Sequence, residues 1–228
     1  MKNADVKWFS PKLDILPAAP RALWAELSQT PRSFVLYGGT AIALRLGHRQ
    51  SLDFDFFSNE AFDPSELLGS LPYLREGRVD QRGNNTLSVV VERKGPVKIS
   101  FFGDLGMNSV QQPDLVASHG LQIASLLDLM ATKLKTIQQR AEAKDYLDLA
   151  GGIDAGVALC DALGAAIAIY GKTFNAMTTL KALTYFDDGN LPSLPASMQS
   201  RLRTAAQAVK LDALPQLVAK PRIVRQDL

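Results

Sequence analysis

The spacing of apolar residues changes character along the chain. In the first half, short apolar runs are separated by turn residues, a pattern that predicts short strands. Residues 87–92 and 97–102 are two such runs, and the turn Arg93-Lys94-Gly95-Pro96 between them predicts a β-hairpin. After about Pro113 the apolar residues recur at helical spacing, so we expect only helices from there on. The prediction is an α/β core with a small mixed sheet in residues 1–113 and an α-helical region in residues 114–228.

Four shorter signals organise the α/β half. Residues 33–37 form an apolar run suited to a buried strand, and residues 40–46 are predicted as a helix that Gly47 ends. Residues 52–57 are predicted as the next strand. Asp63, followed by proline, is typical of the N-cap of a further helix. The pattern therefore predicts a strand–helix–strand unit at the start of the core.

Two acids interrupt the apolar pattern of the second strand. Residues two apart on a strand project from the same face, roughly 6.6 Å apart at about 3.3 Å per residue, so Asp53 and Asp55 should lie together. The opposite face carries Leu52, Phe54 and Phe56 and is expected to pack into a core. Two adjacent carboxylates repel each other unless a cation lies between them, and Mg²⁺ is commonly held this way. On its own, the pair is better explained by a solvated strand face.

A double glycine strengthens the interpretation as a binding site. Gly38-Gly39 follows the first strand and precedes the helix that begins at Thr40. Without side chains there, phosphate oxygens can approach backbone N–H groups at the positive end of the helix, and Thr40 can add a hydroxyl. The segment is neither a P-loop nor a dinucleotide-binding G-x-G-x-x-G motif. Together with the acid pair it predicts a site for a metal-bound phosphate ligand.

Composition and charge exclude few classes of protein. The 228 residues are 46% hydrophobic and 21% charged, with a net charge of +2, which is typical of a globular protein without a strongly basic surface. The single cysteine, Cys160, excludes a disulfide within this chain. The N-terminal residues lack the apolar segment of a signal peptide, and the most apolar stretch, residues 153–170, contains two aspartates. We therefore expect a cytoplasmic protein that does not contact a membrane.

Two sequence blocks resemble a known family. Gly-Gly, thirteen residues and then Asp-Phe-Asp-Phe resembles the signature of DNA polymerase β-like nucleotidyltransferases. The string "GGTAIALRLGHRQSLDFDFF" and the later "DLMATKLKTIQQRAEAKDYLDL" resemble the AbiEii/AbiGii branch of toxin nucleotidyltransferases. The resemblance implies transfer of a nucleoside monophosphate from a nucleoside triphosphate to an acceptor hydroxyl, with Mg²⁺ or Mn²⁺. Some relatives modify tRNA, and many are the toxin of a toxin–antitoxin pair, so tRNA and an antitoxin protein are the implied partners.

The resemblance also implies a set of site residues. Metal-binding and catalytic roles fall on Asp53 and Asp55, completed by Lys133 and Asp145 from the helical half. Nucleotide-binding roles fall on Gly38, Gly39, Thr40, Arg49 and Lys133.

The helical position of Lys133 supports its assignment independently. At 100° per residue, Lys133 falls within the apolar arc of its helix, near Leu126. A lysine buried there needs a negative partner, either a triphosphate or a carboxylate, unless its side chain extends past its neighbours to water. Asp145 and Asp148 lie on one helical face, which is also explained by ordinary charge near a helix N-terminus. The family pattern favours Asp145 as the site residue and Asp148 as structural.

One position departs from the wider polymerase β-like pattern. A third carboxylate is usual on a later strand, and the corresponding polar position of the predicted hairpin holds Ser100. Either Asp104 or Asp145 substitutes, or the protein binds nucleotide without efficient turnover. The alternative function is therefore a weak or inactive nucleotide-binding or antitoxin-binding module. Basic residues within residues 75–98, and a loosely held tail at residues 219–228, are expected to guide an acceptor.

Overall fold

The computed structural model describes residues 7–225, which divide into two compact units. Unit 1 comprises residues 7–107, Gln112–Ser125 and residues 221–225. Unit 2 comprises Asn108–Gln111 and Leu126–Lys220. The division therefore differs from a single boundary at residue 113, because two short strands and the C-terminal segment belong to unit 1.

Across the described residues, unit 1 is built on an eight-stranded mixed sheet. The strands are β1 Trp8–Phe9, β2 Val35–Tyr37, β3 Phe54–Phe57, β4 Arg78–Gly83, β5 Thr86–Glu92, β6 Pro96–Phe102, β7 Asp114–Val116 and β8 Gln122–Ile123. Their order is β1-β7-β8-β2-β3-β6-β5-β4. Strand β3 lies at the centre, antiparallel to β2 and parallel to β6. The mixed sheet flanked by helices confirms the predicted fold class.

The strand predictions were confirmed in the first half of the chain and failed after it. Strands β5 and β6 pair antiparallel from Thr86↔Phe102 to Glu92↔Pro96, which is the predicted hairpin. The expectation of helices alone after Pro113 was wrong, because β7 and β8 pair with each other and extend the sheet. Strands β7 and β8, with three and two residues, are too short for the alternation of a strand to be recognised in the sequence.

The helices of unit 1 follow their local sequence signals, except that α2 begins at Gly38, two residues before the predicted start at Thr40. They are α1 Ala18–Leu23, α2 Gly38–Leu46 and α3 Pro64–Ser70. Gly47 adopts a left-handed conformation with φ 71° and donates its N–H to the carbonyl of Ala43 at 2.8 Å, which ends α2. Asp63 caps α3, since its Oδ1 accepts from the N–H groups of Ser65 at 2.7 Å and Glu66 at 2.9 Å.

Strand alternation separates a core face from a polar face on the central strands. Phe54, Phe56, Ile99 and Phe101 are fully buried on the core face. Leu52 is 56% exposed, so the expectation that it packs into the core was wrong. The chain becomes a strand only at Phe54, and strand alternation does not apply to the residues before it. Asp55 lies on the opposite, polar face of β3.

Unit 2 is helical. Its helices are α4 Leu126–Thr136, α5 Ala143–Asp154, α6 Leu159–Tyr170, α7 Ala176–Ala182 and α8 Ala196–Gln207. Helices α4 and α5 approach closely at Gly152, where an added Cβ would lie 2.1 Å from Sδ of Met130. This close packing buries one face of each helix, including Leu134, Tyr146 and Leu149.

The C-terminal segment is held in place rather than loose. Ile223 is 1% exposed and Arg225 is 7% exposed. The backbone N–H of Arg225 donates to Oε1 of Gln122 at 2.9 Å, and its Nη1 donates to the carbonyl of Pro113 at 3.1 Å. The expectation of a loose tail was therefore wrong for residues 221–225, because the burial partners of that segment lie about one hundred residues earlier. Residues 226–228 lie outside the described part of the chain.

Within residues 7–225, no single helix is both long enough and apolar enough to cross a membrane. The pair formed by Ala143–Asp154 and Leu159–Thr173 has sufficient combined length and apolar content but is bent by 119°.

Candidate functional site

The double glycine and Asp55 lie against each other in unit 1. Strand β2 ends at Tyr37, which pairs with Asp55 of β3. Gly38 follows with a φ of 73°, a conformation that only glycine adopts without strain. A Cβ added to Gly38 would lie 2.7 Å from Oδ2 of Asp55, so the carboxylate occupies the space that a side chain would need. An acid therefore lies at the bend where α2 begins.

Thr40 fixes the segment that carries the other acid. Its hydroxyl donates to the backbone carbonyl of Asp53, and its Oγ1 lies 2.6 Å from Oγ of Ser51. Thr40 is 2% exposed, so its hydroxyl is directed at this segment and not at solvent. Asp53 is exposed and lies just before β3, so its position depends on these hydrogen bonds and not on strand pairing.

The position expected for a third carboxylate carries no charge. Ser100 of β6 lies in register with Asp55, is 3% exposed, and accepts a hydrogen bond from Oγ of Ser88 at 3.0 Å. Asp104, one of the proposed substitutes, is exposed beyond the end of β6, with its N–H donated to the carbonyl of Glu60 at 3.1 Å. Among residues 7–225, no cluster of three or more His, Cys, Asp or Glu side chains is arranged to hold a metal ion. Asp53 and Asp55 thus remain the candidate carboxylate ligands of this site.

One lysine of the basic residues within 75–98 lies beside the acid pair. Lys98 of β6 contacts Asp80 of β4, with Nζ 2.8 Å from Oδ2. The hydrogen bond to Asp80 raises the pKa of Lys98, and the charges of Asp53 and Asp55 add to the effect. Lys98 and Asp80 are eighteen residues apart in the sequence. Their proximity follows only from the combined register of β4, β5 and β6.

The two arginines that precede the acids in the sequence differ in their contacts. Arg45 is structural, since its Nη1 lies 2.8 Å from Oδ2 of Asp114 and its other nitrogens donate to backbone carbonyls of β8 and the residue after it. Burial lowers the pKa of Arg45, and Asp114 opposes that effect. Arg49 donates from Nη1 to the carbonyl of Gln50 at 2.9 Å. The half-buried Arg49 thus lies within the matched sequence block but is oriented by its own loop.

Unit 2 contains a buried ion cluster around Lys133. Its Nζ lies 2.6 Å from Oδ1 of Asp145 and 2.8 Å from Oδ2 of Asp148, and both acids are fully buried. Arg140 donates from Nε to Oδ2 of Asp145 at 2.8 Å. Burial acts to raise the pKa of Asp145, but the hydrogen bond from Arg140 and the charge of Lys133 outweigh it and hold that pKa below its usual value.

This cluster distinguishes between the two interpretations of Lys133, a buried lysine with a negative partner or a side chain that extends to water. The side chain is 7% exposed, so the interpretation in which it extends to water was wrong. The expected negative partner is supplied by two carboxylates of α5, and Asp148 contributes as directly as Asp145. A fourth buried polar residue of this unit, Asp128, accepts from the N–H groups of Val110 at 2.7 Å and Gln111 at 3.0 Å. It holds the isolated segment Asn108–Gln111, a long-range role with no sequence signal.

Comparison with known families gives a match over most of the chain. The family model for the nucleotidyl transferase AbiEii toxin of type IV toxin–antitoxin systems matches residues 21–220. An uncharacterized protein of Aquifex aeolicus (strain VF5) is 33% identical over 118 residues, which are 51% of this chain and 55% of the relative. The aligned part thus spans about half the length of that curated relative.

Solved structures share the fold. MenT4, a nucleotidyltransferase toxin from Mycobacterium tuberculosis H37Rv, superposes with a TM-score of 0.62 at 18% identity, covering 88% of this chain and 84% of MenT4. A putative nucleotidyltransferase from H. pylori gives a TM-score of 0.49 at 17% identity, covering 83% of this chain and 90% of that one. The first similarity is close enough in structure to support a common fold.

Proposed function

The chain belongs to the AbiEii family of nucleotidyltransferase toxins of type IV toxin–antitoxin systems, and from this we propose that it transfers a nucleoside monophosphate from a nucleoside triphosphate to an acceptor hydroxyl. The observation that carries the proposal is the contact between the acid pair segment and the glycine bend. Oδ2 of Asp55 lies 2.7 Å from where a Cβ of Gly38 would be, which brings the proposed metal-binding acid to the N-terminus of a nine-residue helix. A phosphate group bound at the start of α2 would lie close both to the helix N-terminus and to Asp55.

The donor set fits a divalent cation shared with the nucleotide. Asp53 and Asp55 supply hard oxygen ligands, and Mg²⁺ in such sites is typically held by one or two carboxylates with substrate phosphates and waters. A site that depended on protein ligands alone would need more acids than this face provides. We propose that Asp53 and Asp55 hold Mg²⁺ or Mn²⁺, which when bound polarises the α-phosphate of the substrate.

The chain's own residues then orient the reactants. The backbone N–H groups of Gly38 and Gly39 bind the β- and γ-phosphates at the start of α2, and Thr40 keeps Asp53 in place through its backbone carbonyl. The acceptor oxygen forms a bond to the α-phosphorus while the bond to the bridging oxygen of the pyrophosphate breaks. Pyrophosphate leaves with that electron pair, and the acceptor proton passes to solvent water.

The family resemblance assigns three further residues to the site. Lys133 and Asp145 are proposed as site residues, with Lys133 neutralising negative charge of the nucleotide, and Arg49 is proposed to bind it. What supports Lys133 is its fixed, desolvated ammonium, since the ion pairs with Asp145 and Asp148 leave it little conformational freedom. A charge that is already oriented stabilises developing negative charge without reorganisation during the reaction.

A transfer assay tests the proposal. Each α-labelled nucleoside triphosphate is incubated with the protein, Mg²⁺ and total tRNA, and labelled RNA and labelled protein are separated on a denaturing gel. We expect label on tRNA, with the rate reduced at least 100-fold in Asp55→Ala. Asp14→Ala, which removes an exposed acid of the same unit, is the matched control and should retain the rate. Equal rates in the two variants would overturn the assignment of Asp55.

Ser100 favours a second candidate, a nucleotide-binding module without turnover. A serine in register with Asp55 leaves that strand position without the charge that a third carboxylate would supply. Tight binding of a nucleoside triphosphate with no label transferred to RNA or protein would support this candidate.

The family also implies a cellular role that we propose for this chain. Its expression should arrest growth, and co-expression of a cognate antitoxin protein should relieve the arrest. Asp55→Ala should abolish the toxicity, because the arrest depends on the transfer reaction.

A further inference from the structure

The polar face of the sheet in unit 1 extends beyond the acid pair towards β4. Asp55 pairs with Tyr37 of β2 on one side and with Ser100 of β6 on the other. The glycine bend follows β2, so it lies on the β2 side of the acids. Lys98, two residues before Ser100 on the same face of β6, lies on the opposite side.

The position of Lys98 near Asp55 follows from the strand register. Asp55 pairs with Ser100 in the parallel β3–β6 ladder, and Lys98 lies two residues before Ser100 on the same face of β6. Both acids raise the pKa of Lys98, after the larger effect of Asp80, which agrees with this placement. The ammonium is thus close to the proposed metal ligands while remaining accessible, since its side chain is 41% exposed.

The geometry of phosphoryl transfer gives the two sides different roles. Attacking and leaving oxygens lie roughly in line on opposite sides of the reacting phosphorus. If the leaving pyrophosphate is bound at the glycine bend, the acceptor approaches from the β6 side. A positively charged side chain on the β6 side would therefore contact the acceptor and not the leaving pyrophosphate.

We propose that Lys98 binds a backbone phosphate of a nucleic-acid acceptor and so marks the acceptor side of the transfer site. This assignment rests on the proposed function for the location of the triphosphate. Asp80 is the partner of Lys98 in the free protein and holds its ammonium over the face. Arg78 extends the same surface, with Nη1 3.5 Å from Oδ1 of Asp80 and a side chain 71% exposed. Ion pairs as exposed as these exchange readily for a ligand phosphate, because each contributes little to folding.

Equilibrium binding tests the proposal without requiring transfer. The probes are total tRNA and, separately, a non-hydrolysable nucleoside triphosphate with Mg²⁺, each measured with Lys98→Gln across a range of salt concentrations. We expect the affinity for tRNA to fall about five- to eightfold at about 0.1 M salt, and the slope of log K against log[salt] to decrease by about 0.7–0.9, as for one lost phosphate contact. The affinity for the triphosphate should not change.

Arg82→Gln is the matched control. Arg82 lies on β4 of the same sheet, in register with Leu87, whose side chain is fully buried on the core face, and it donates to Oγ of Ser65. The substitution Arg82→Gln removes one positive charge from the opposite face of the sheet, so the salt slope for tRNA should not change. Lys98→Arg should restore tRNA binding, because a guanidinium also binds phosphate.

Each other outcome overturns the assignment. Weaker triphosphate binding with unchanged tRNA binding would place Lys98 on the nucleotide side. Equal effects of Lys98→Gln and Arg82→Gln would indicate general electrostatic attraction, and no tRNA binding by the wild-type protein would exclude a nucleic-acid acceptor. Failure of the proposed function has a different signature, since tRNA would bind through Lys98 while no label is transferred.

Discussion

Gly38 is the residue on which the geometry of the candidate site depends most directly. Its φ of 73° and the 2.7 Å separation between a built Cβ and Oδ2 of Asp55 set two requirements at one position. An L-amino acid there would be strained in its own backbone and would displace the carboxylate. The position therefore couples the proposed phosphate-binding bend to the proposed metal-binding acid.

We predict that Gly38→Ala weakens nucleotide binding at least tenfold and lowers the free energy of unfolding by about 1–2 kcal/mol, the cost of a left-handed alanine. Isothermal titration with a non-hydrolysable nucleoside triphosphate and Mg²⁺, together with urea unfolding, measures both effects. Gly69→Ala is the control, since nothing lies within 4 Å of the added Cβ and α3 gains a better helix former. Unchanged nucleotide binding in Gly38→Ala would remove the bend from the site.

The sequence reveals these residues because their signals are local. A glycine pair between a strand and a helix, and two acids flanking one apolar residue, are visible without knowing any neighbour. The exact placement of Asp53 was not visible, since it lies before β3 and is held by Thr40 and not by strand pairing. Lys98 was expected only as one of several basic residues within 75–98, because its partner Asp80 is reached only through the register of three strands.

At the scale of secondary structure, helices α4 and α5 are joined by charge as well as by apolar packing. Lys133 of α4 lies between Asp145 and Asp148 of α5, and all three are nearly inaccessible to water. Removing each of these charges from water is costly, and attraction to its oppositely charged partners offsets that cost. Removing the cation would leave two carboxylates buried side by side.

Lys133→Met should therefore lower the free energy of unfolding by about 3–5 kcal/mol, as expected when one partner of a buried ion pair is lost. Chemical denaturation monitored by circular dichroism measures the loss. Lys135→Met is the control on the same helix, where the ammonium of Lys135 donates to the carbonyl of Thr173 and the expected cost is about 1 kcal/mol. Equal losses in the two variants would show that the cluster contributes no special stability.

Helical periodicity placed Lys133 in the buried arc of α4, and the structure bears this out. Periodicity could not identify what the lysine meets, because its angle on one helix does not determine which helix packs against it. The very short strands β7 and β8 show the same limit, since they form only where neighbouring strands offer hydrogen-bonding edges.

At the scale of the whole chain, the two units are not consecutive in sequence. Unit 1 takes its sheet mostly from residues 7–107, but Gln112–Ser125 and residues 221–225 also belong to it. Ile223 and Arg225 are buried in that unit, although more than ninety residues of unit 2 precede them. No composition shift or linker in the sequence marks this return.

We predict that Ile223→Ala lowers the free energy of unfolding of the protein by about 2–4 kcal/mol, the usual cost of truncating a buried isoleucine. Val218→Ala, five residues earlier and 81% exposed, should change it by less than about 0.5 kcal/mol. Denaturant unfolding followed by intrinsic fluorescence compares the two. Similar values for both variants would mean that the C-terminal segment does not stabilise the fold.

The late return of the chain also affects what happens during translation. Residues 221–225 leave the ribosome only after the whole of unit 2 has been synthesised, so the proposed nucleotide-binding unit is incomplete until then. A nonsense codon or frameshift anywhere in unit 2 removes this segment as well. Such mutations, although far from the glycine bend in the gene, would thus deprive unit 1 of the buried residues Ile223 and Arg225.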